Sequence, residues 1–274
     1  MIPQSSTPSL PEALGTVALV GAGPGDPDLI TLRGLRTIER AGAILYDRLA
    51  APELLDYAPP ECQQVFVGKA PDRHPLPQET ITALLVEKAR RYSYVVRLKG
   101  GDPFIFGRGG EEAEALAEAG VPFEVVPGVT AASACGAYAG IPLTHRTATP
   151  GVTFITGHRR SPDLELDWAN LASSGNTLVF YMGLANLGRI AANLMTNGLS
   201  GTTPAALVQE GATEAQRVWT ASLANLPALV ADEAVRPPVL IVVGEVVRLR
   251  NRLAWFEHLG RSVSGAFHPF PNHP

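Results

Sequence analysis

The segment from Arg97 to Glu112, RLKGGDPFIFGRGGEE, combines glycines, cations and carboxylates directly after a strand-like run. The predicted strand spans Tyr94 to Leu98, and a helix is predicted over Glu111 to Ala119, with acidic residues in its first turn and Gly120 after its end. Loops between a strand end and a helix start bind ligands in open α/β sheets. The sequence therefore predicts a turn that binds a charged small molecule.

A second glycine cluster, Gly21 to Asp26, also follows a predicted strand and precedes an amphipathic stretch. One interpretation is a dinucleotide-binding turn, because Asp47 lies about 20 residues further on, where a ribose-binding carboxylate is expected. The match is imperfect, since Asp26 stands where that fingerprint needs Gly or Ala. Pro24 also stiffens the loop and removes an N–H donor. A turn of this kind suits a ligand that is not polyanionic.

Taken together, these blocks resemble the uroporphyrinogen-III C-methyltransferases, members of the tetrapyrrole methylase group that uses S-adenosylmethionine. The resemblance spans about Thr16 to Phe256. One glycine block alone is weak evidence, whereas eight blocks in the family's order form a specific signal. The blocks are Val20–Asp26, Tyr46–Asp47, Val67–Lys69, Arg97–Glu112, Val126–Ala132, Gly140–Arg146, Tyr181–Gly183 and Val243–Val247.

The resemblance implies S-adenosylmethionine as cofactor, S-adenosylhomocysteine as its product, and three groups of site residues. Asp47 would be the catalytic base and Lys69 the proton donor. Arg108, Glu111 and Arg146 would bind a tetrapyrrole substrate. The cofactor contacts would be Pro24, Gly100, Gly101, Asp102, Ile105, Thr130, Ala131, Met182 and a residue at Gly211 or Ala212.

Each of these residue types also has a plainer interpretation. Asp102 precedes a proline, which is typical of a turn residue. Asp47 also fits a turn or N-cap carboxylate, and Lys69 also fits a solvated surface cation. Met182 by itself predicts a core residue. Glu111 in a first helical turn interacts favourably with the helix dipole.

Two further features of loops bear on substrate binding. Lys69 and Lys99 adjoin glycines in predicted loops, as Arg108 does, and such cations could contact a substrate. In the family, an Arg normally follows the Gly-Lys pair, but here Ala70 follows it, and residues 71–74 replace a usually glycine-rich loop. This departure concerns substrate affinity more than the type of reaction.

Composition excludes several classes of protein. The net charge of −4 and the pI near 5.9 argue against a nucleic-acid binder. The two cysteines, Cys62 and Cys135, show no spacing typical of a disulfide framework or a zinc site, and no metal site is predicted. No apolar run reaches the length of a membrane span, and we expect a cytoplasmic enzyme. The resemblance implies a homodimer.

The element pattern predicts an α/β protein with the two-domain tetrapyrrole methylase fold. After a disordered leader at 1–15, strands and helices alternate over 16–143, which predicts a mostly parallel sheet. Residues 144–256 predict a mixed-sheet α+β domain with an antiparallel return near 216–221, and 257–274 form a tail. The strands are predicted at 17–20, 43–46, 65–67, 94–98, 123–126, 152–156, 177–181, 205–209, 217–220 and 239–243, and the helices at 29–40, 77–90, 111–119 and 130–139.

The activity that this combination implies is methylation of rings A and B of uroporphyrinogen III to give precorrin-2, in the cleft between the domains. Two alternatives remain open at this stage. One is a methyltransferase that acts on a later corrin precursor. The other, from a different class, is a nicotinamide-dependent oxidoreductase, which rests on the glycines of the first cluster and Asp47.

Overall fold

A computed structural model describes residues 13–68, 76–157 and 166–258. The chain forms two compact units. Unit 1 comprises the described residues up to Ala22 and within Ile30–Gly128, and unit 2 comprises Gly23–Leu29 and the described residues from Val129 onward. The predicted leader and tail lie largely outside the described residues, and the boundary predicted after residue 143 stays a prediction.

Unit 1 is built on a five-stranded sheet in which every pair of neighbours is parallel, in the order β3-β2-β4-β1-β5. The predicted parallel sheet is confirmed. Its elements are β1 (Thr16–Gly21), α1 (Leu32–Ile38), β2 (Ala43–Tyr46), a 3-10 helix (Pro52–Tyr57), β3 (Gln63–Phe66), α2 (Gln78–Ala89), β4 (Tyr94–Lys99), α3 (Gly109–Glu118) and β5 (Phe123–Val126).

Both faces of this sheet are buried, as parallel sheets require. Along β1, Ala18 and Val20 pack into a core that includes Ile38 of α1. The alternate residues, Val17 and Leu19, pack into a second core formed with α2 and α3. The unbroken apolar runs of β1 and β4 follow from this burial on both faces.

The first helix is shorter than its amphipathic pattern predicts. A 3-10 helix (Pro27–Leu29) precedes it, and α1 itself begins after Thr31. The hydroxyl of Thr31 accepts a hydrogen bond from the N–H of Gly34 at 3.0 Å. This N-cap fixes the start of α1 because the capping residue cannot itself be helical.

Unit 2 contains a mixed sheet in the order β6-β7-β10-β8-β9. Strands β6 and β7 are parallel, and the other neighbouring pairs are antiparallel, which confirms the predicted mixed sheet and the return β8 to β9. Its elements are a 3-10 helix (Pro27–Leu29), α4 (Ala131–Tyr138), β6 (Val152–Thr156), α5 (Trp168–Ser173), β7 (Thr177–Tyr181), a 3-10 helix (Leu184–Asn186), α6 (Leu187–Thr196), β8 (Pro204–Gln209), β9 (Arg217–Ser222), α7 (Leu226–Asp232), β10 (Val239–Val243), a 3-10 helix (Glu245–Leu249), α8 (Arg250–Leu253) and α9 (Trp255–His258).

The unit 2 sheet also buries both faces. In β7, Leu178 and Phe180 pack with α6 and α7, whereas Val179 packs on the other face in a core shared with α4. Helix α6 buries Leu187, Ile190, Ala191 and Leu194, a spacing typical of one helical face. Two of the predicted cofactor contacts, Thr130 and Ala131, are the N-cap and the first residue of α4.

None of the described helices is both long enough and apolar enough to cross a lipid bilayer. Cys62 and Cys135 carry free thiols. Burial raises the pKa of the Cys135 thiol to about 12, so this side chain stays neutral at physiological pH. Cys135 is therefore a packing residue of α4, which agrees with the absence of a disulfide pattern in the sequence.

Candidate functional site

The carboxyl ends of β1 and β4 lie side by side in the unit 1 sheet, because these strands are neighbours. The chain that follows β1 leads to α1 on one face of the sheet, and the chain that follows β4 leads to α3 on the other face. Where consecutive connections leave a sheet in opposite directions, a crevice opens at the carboxyl edge. Both glycine clusters singled out in the sequence begin at this edge.

Three glycines let the strand ends approach one another more closely than any other residue would. A Cβ on Gly21 would lie 2.5 Å from the backbone of Gly128 and 2.7 Å from the carbonyl oxygen of Gly101, and a Cβ on Gly128 would lie 2.3 Å from that oxygen. Gly101 itself has φ +70°, a left-handed conformation. These contacts require glycine at the end of β1 and in the turns that follow β4 and β5.

Asp102 connects two of these strand ends. One carboxylate oxygen accepts the N–H of Phe104 at 2.8 Å, as in a turn, and the other accepts the N–H of Gly128 at 3.0 Å. Asp102 is therefore a turn residue, as its position before a proline predicts. Each oxygen retains a second lone pair, so a ligand contact by Asp102 stays a prediction.

Asp47 follows β2 directly and lies at the same carboxyl edge, next to β4. One carboxylate oxygen of Asp47 is 3.1 Å from a guanidinium nitrogen of Arg97, and the other accepts the N–H of Leu49 at 3.1 Å. The side chain is 25% exposed, so it remains accessible while it is held by two donors. Lys69, the predicted proton donor, lies outside the described residues.

Arg97 belongs to a buried cluster of charges. Its Nε is 3.3 Å from Oε1 of Glu112, and Nζ of Lys99 is 2.9 Å from Oε2 of the same carboxylate. Gln78 donates to Oε1 at 2.9 Å. Glu112 is fully buried, and burial lowers the pKa of Lys99, with Arg97 adding to the effect and Glu112 opposing it.

This cluster corrects one expectation from the sequence. Lys99 is the last residue of β4, buried at 4% exposure, and is not a loop cation available to a substrate. The charges of Arg97 and Glu112 likewise face each other inside the unit. The reason is the strand period of two, which turns Arg97 and Lys99 to the same face, against the first turn of α3.

The predicted substrate residues of unit 1 lie on its surface. Arg108 adopts φ +59° directly before α3, and its Nε is 2.8 Å from a carboxylate oxygen of Glu111. Both side chains are exposed, at 38% and 54%. Ile105, a predicted cofactor contact, is 37% exposed within the apolar loop segment that also contains Phe104 and Phe106.

Unit 2 brings most of its predicted cofactor contacts to one edge of its sheet. Strands β7 and β8 both run antiparallel to β10, so their carboxyl ends lie at the same edge. Met182 follows β7, and Gly211 and Ala212 follow β8. The hydroxyl of Tyr181, at the end of β7, is 2.7 Å from the hydroxyl of Thr130 and accepts the N–H of Ala132 at 2.9 Å.

Backbone strain coincides with the predicted site residues. Among the described residues, the non-glycine residues with positive φ are Phe106, Arg108, Met182, Glu210, Ala212 and Ala234. Three of them are predicted contacts, and two others adjoin one. Conformations of this kind cost on the order of 1–3 kcal/mol each and concentrate at functional sites.

Met182 is not a core residue, contrary to what its residue type predicts. Its side chain is 53% exposed, with φ +53°. Ala212 also has a positive φ but, unlike Met182, is fully buried, and Gly211 beside it is buried as well. A Cβ on Gly211 would lie 2.3 Å from Sγ of Cys135. No surface of Ala212 is exposed, and its N–H already donates to Gln216 at 2.9 Å, so a cofactor contact at residues 211 and 212 stays a prediction.

The remaining predicted residues of unit 2 are Pro24, Ala131 and Arg146. Pro24 and Ala131 are half-buried, and Arg146 is exposed. Arg146 lies in a tight turn in which the N–H of His145 donates to the carbonyl of Thr149 at 3.1 Å. The turn presents the guanidinium outward from unit 2.

Strand order bears on the dinucleotide interpretation. In the Rossmann sheet, β1 lies between β2 and β4. Here β4 separates β1 from β2, and β1 lies between β4 and β5. The turn after β1 therefore lacks the sheet environment of a dinucleotide fingerprint, in agreement with the misplaced Asp26.

A model of the family described as Tetrapyrrole (Corrin/Porphyrin) Methylases matches residues 16–227. The chain belongs to the tetrapyrrole methylases. The family resemblance seen in the sequence is thereby confirmed.

Two siroheme synthases are similar to this tetrapyrrole methylase. It is 56% identical over 247 residues to a siroheme synthase of Ectopseudomonas mendocina, covering 90% of this chain and 54% of that protein. A siroheme synthase of Pseudomonas aeruginosa strain PAO1 is 56% identical over 245 residues, covering 89% and 53%. The chain thus spans about half the length of the curated relatives it matches.

Solved structures agree with the fold of this tetrapyrrole methylase. A uroporphyrin-III C-methyl transferase from Thermus thermophilus, in complex with S-adenyl homocysteine, has 42% identity and a TM-score of 0.73, and the match covers 86% of this chain and 100% of that one. A cobalt precorrin-4 methyltransferase has 26% identity and a TM-score of 0.75, over 85% and 95%.

Sequence reasoning missed the residues that support the site of this tetrapyrrole methylase. The sequence analysis predicts Arg97 in a strand and Glu112 in a helix but does not predict that they form an ion pair, and it assigns no contact to the Tyr181 hydroxyl. A usable signal was present in β4, where two cations alternate with apolar residues in a strand flanked by buried neighbours. Such a strand requires a buried carboxylate, and Glu112 is the acid that meets both cations.

Replacing Glu112 with Ala should strongly destabilise the fold, because it leaves Arg97 and Lys99 buried without their shared counter-charge. Breaking a buried ion pair typically costs about 3–5 kcal/mol. Urea unfolding followed by circular dichroism measures the loss. The matched control is Glu114→Ala, an exposed acid on the same helix, which should change the free energy of unfolding by no more than about 0.5 kcal/mol. Similar effects of the two substitutions would contradict the assigned role of Glu112.

Proposed function

We propose that this chain transfers methyl groups from S-adenosylmethionine to carbon atoms of uroporphyrinogen III, on rings A and B, giving precorrin-2. The observation that carries the proposal is the carboxyl edge of unit 1. There, glycine-lined ends of β1, β4 and β5 lie beside an oriented, accessible carboxylate, Asp47. Family membership and the similarity to a uroporphyrin-III C-methyl transferase support the same reaction.

The described residues fit S-adenosylmethionine in chemical type. Its sulfonium needs oxygen atoms nearby, its amino-acid end needs backbone N–H and carbonyl groups, and its adenosine needs apolar surface. Unit 1 offers the carboxylate oxygens of Asp102 and the exposed apolar side chain of Ile105. Unit 2 offers the exposed side chain of Met182. When bound, the cofactor supplies an electrophilic methyl group, and the residues of the chain position it.

Positioning is the larger part of such a reaction. A pyrrole carbon is already electron-rich, so the protein must hold it in line with the methyl group. Orientation of this kind supplies on the order of 7–11 kcal/mol of barrier lowering. Closely packed strand ends suit that task, because Asp102 joins the ends of β4 and β5 and no side chain would fit between β1 and its neighbours at Gly21.

Proton removal is the remaining chemical task, and we assign it to Asp47. The methylated pyrrole skeleton must lose a proton, which is the work of a general base. Arg97 and the N–H of Leu49 each hold one carboxylate oxygen of Asp47, so the base is oriented before substrate binds. Lys69 is the proton donor in this proposal, on the strength of the family resemblance alone.

The substrate is an octacarboxylic acid, so its recognition calls for arginines. Arg146 is exposed in its turn, and Arg108 lies on the surface paired with Glu111. We propose that substrate carboxylates bind both guanidinium groups and that Glu111 orients Arg108. Bidentate pairing of Arg with carboxylate gives such contacts their geometry.

The siroheme synthases that match this chain favour a product that feeds sirohaem formation. Since the chain spans about half of their length, the proposal concerns methyl transfer alone. The lower identity to a cobalt precorrin-4 methyltransferase makes a later corrin precursor a weaker candidate substrate. We also propose, from the family resemblance, that the enzyme is a homodimer in the cytoplasm.

Ligand-dependent thermal stability tests the cofactor class. S-adenosylhomocysteine at 100 times its dissociation constant should stabilise the protein by about 2.7 kcal/mol, and NAD or NADP should leave the melting temperature unchanged. Radiolabelled methyl transfer to uroporphyrinogen III, with precorrin-2 as the product, then tests the reaction. Stabilisation by NAD alone would replace the methyltransferase proposal with the oxidoreductase one.

Asp47→Asn should lower turnover by about 100- to 10,000-fold, because the amide has nearly the same size but cannot take up the proton. Affinity for S-adenosylhomocysteine, measured by calorimetry, should stay near the wild-type value. Single-turnover methyl transfer gives the rate. If the variant transfers methyl groups at the wild-type rate, Asp47 is a turn residue, and Glu111 becomes the next carboxylate to test.

Arg146→Leu should raise the KM for uroporphyrinogen III about tenfold or more, because a hydrogen bond to a charged group is lost. Affinity for S-adenosylhomocysteine should change little. The matched control is Arg91→Leu, an exposed arginine that precedes β4 and so lies at the edge of the unit 1 sheet opposite Asp47. Equal increases in KM for both variants would show a general charge effect and remove Arg146 from the substrate site.

A further inference from the structure

Three buried or half-buried polar side chains of unit 2 form a continuous hydrogen-bonded chain. The hydroxyl of Tyr138 donates to Oδ2 of Asp26 at 2.6 Å. Nε2 of Gln216 donates to the backbone carbonyl of Tyr138 at 3.2 Å, and Oε1 of Gln216 accepts the N–H of Ala212 at 2.9 Å. Asp26 and Gln216 are 5% and 2% exposed. The chain therefore runs from the first glycine loop through the end of α4 to the turn after β8.

Asp26 organises the first glycine loop around this chain. Its second oxygen, Oδ1, accepts the N–H of Asp28 at 2.9 Å, and its carbonyl accepts the N–H of Leu29 at 3.1 Å. Burial, followed by the hydrogen bond to Asp26, raises the pKa of Tyr138, so the phenol remains a donor at neutral pH. The loop that carries Pro24 is thus fixed to α4.

The turn after β8 depends on the same chain. Ala212 has φ +60°, which a non-glycine residue holds only when its surroundings impose it. Gln216 supplies such a constraint through the Ala212 N–H. Gly25 packs directly on this turn, since a Cβ there would lie 2.5 Å from Cγ2 of Thr213 and 3.2 Å from the carbonyl oxygen of Ala212.

We propose that Asp26, Tyr138 and Gln216 are positioning residues that set the geometry of the unit 2 contacts to S-adenosylmethionine. The inference rests on the proposed function. The hydrogen-bonded chain links three segments with predicted cofactor contacts: the Pro24 loop, helix α4, and the turn at Gly211 and Ala212. Because Gly211 and Ala212 are buried, they act on a bound cofactor only through the position of the turn that they form. Preorganisation of this kind raises affinity by reducing the ordering that binding requires.

The main test compares a half-buried hydroxyl group with a buried one in unit 2. Tyr138→Phe removes the hydroxyl that donates to Asp26 and should weaken binding of S-adenosylhomocysteine about tenfold by calorimetry. The control is Thr149→Val. Thr149 is 5% exposed and its hydroxyl lies within hydrogen-bonding distance of the carbonyls of Gly151 and Gly175, at 3.0 Å and 2.8 Å. These carbonyls lie at the starts of β6 and β7, away from the site edge. The control should lose thermal stability and keep wild-type affinity.

The affinity of a double variant shows whether Asp26 and Tyr138 act through one shared hydrogen bond or independently. Asp26→Asn combined with Tyr138→Phe should weaken binding little more than the more severe single variant, because both changes break the same link. Gln216→Met tests the other link and does not depend on the folding of the Tyr138 variant. It should also weaken binding, since the Ala212 N–H loses its acceptor.

Specific results overturn the proposal. Wild-type affinity in Tyr138→Phe and Gln216→Met would show that the chain contributes to stability alone. The same conclusion follows if Thr149→Val weakens binding as much as they do. If the wild-type protein does not bind S-adenosylhomocysteine at all, the proposed function fails first, and the positioning role fails with it.

Discussion

The buried carboxylate of Glu112 is the constraint on which the carboxyl edge of unit 1 depends. Arg97 and Lys99 project from the middle of a parallel sheet, where an unpaired cation is costly to bury. Glu112 meets both, at 3.3 and 2.9 Å, from the first turn of α3. That position also suits the helix dipole. The loop between β4 and α3 is therefore fixed at its two ends by one ion cluster.

The same cluster extends to the proposed chemistry. Arg97 uses one guanidinium nitrogen for Asp47 and another for the carbonyls of Leu45 and Leu98, at 3.4 and 2.9 Å. Its fork geometry ties the ends of β2 and β4 together at the point where Asp47 leaves the sheet. Within the loop, Gly109 donates to the carbonyl of Pro103 at 2.9 Å, and a Cβ at this glycine would lie 2.4 Å from that oxygen. Stability and site geometry thus depend on the same few atoms.

The sequence predicted the fold class, the family and most strands, because buried parallel strands give continuous apolar runs and glycine turns mark their ends. Among the strands, the bounds of β3 were predicted least accurately. This edge strand begins with two glutamines, so its start is set by its pairing with β2 and not by an apolar run. Helix α6 lies outside the predicted helices, although its buried residues have the spacing of one helical face. Side-chain partners were the hardest to predict: Lys99 reads as a loop cation and Met182 as core, since one sequence does not show which face a residue turns toward.

The first glycine loop makes both units of this protein discontinuous in sequence. Residues 23–29 belong to unit 2, although β1 before them and the chain from Ile30 onward belong to unit 1. Neither unit is one continuous stretch of polypeptide. Cutting the chain after Gly128 would separate Asp26 from Tyr138 and leave each fragment with half of a hydrogen bond. The two units therefore cannot be exchanged between homologues as interchangeable modules, and recombination would preserve the loop only if it carried both partners.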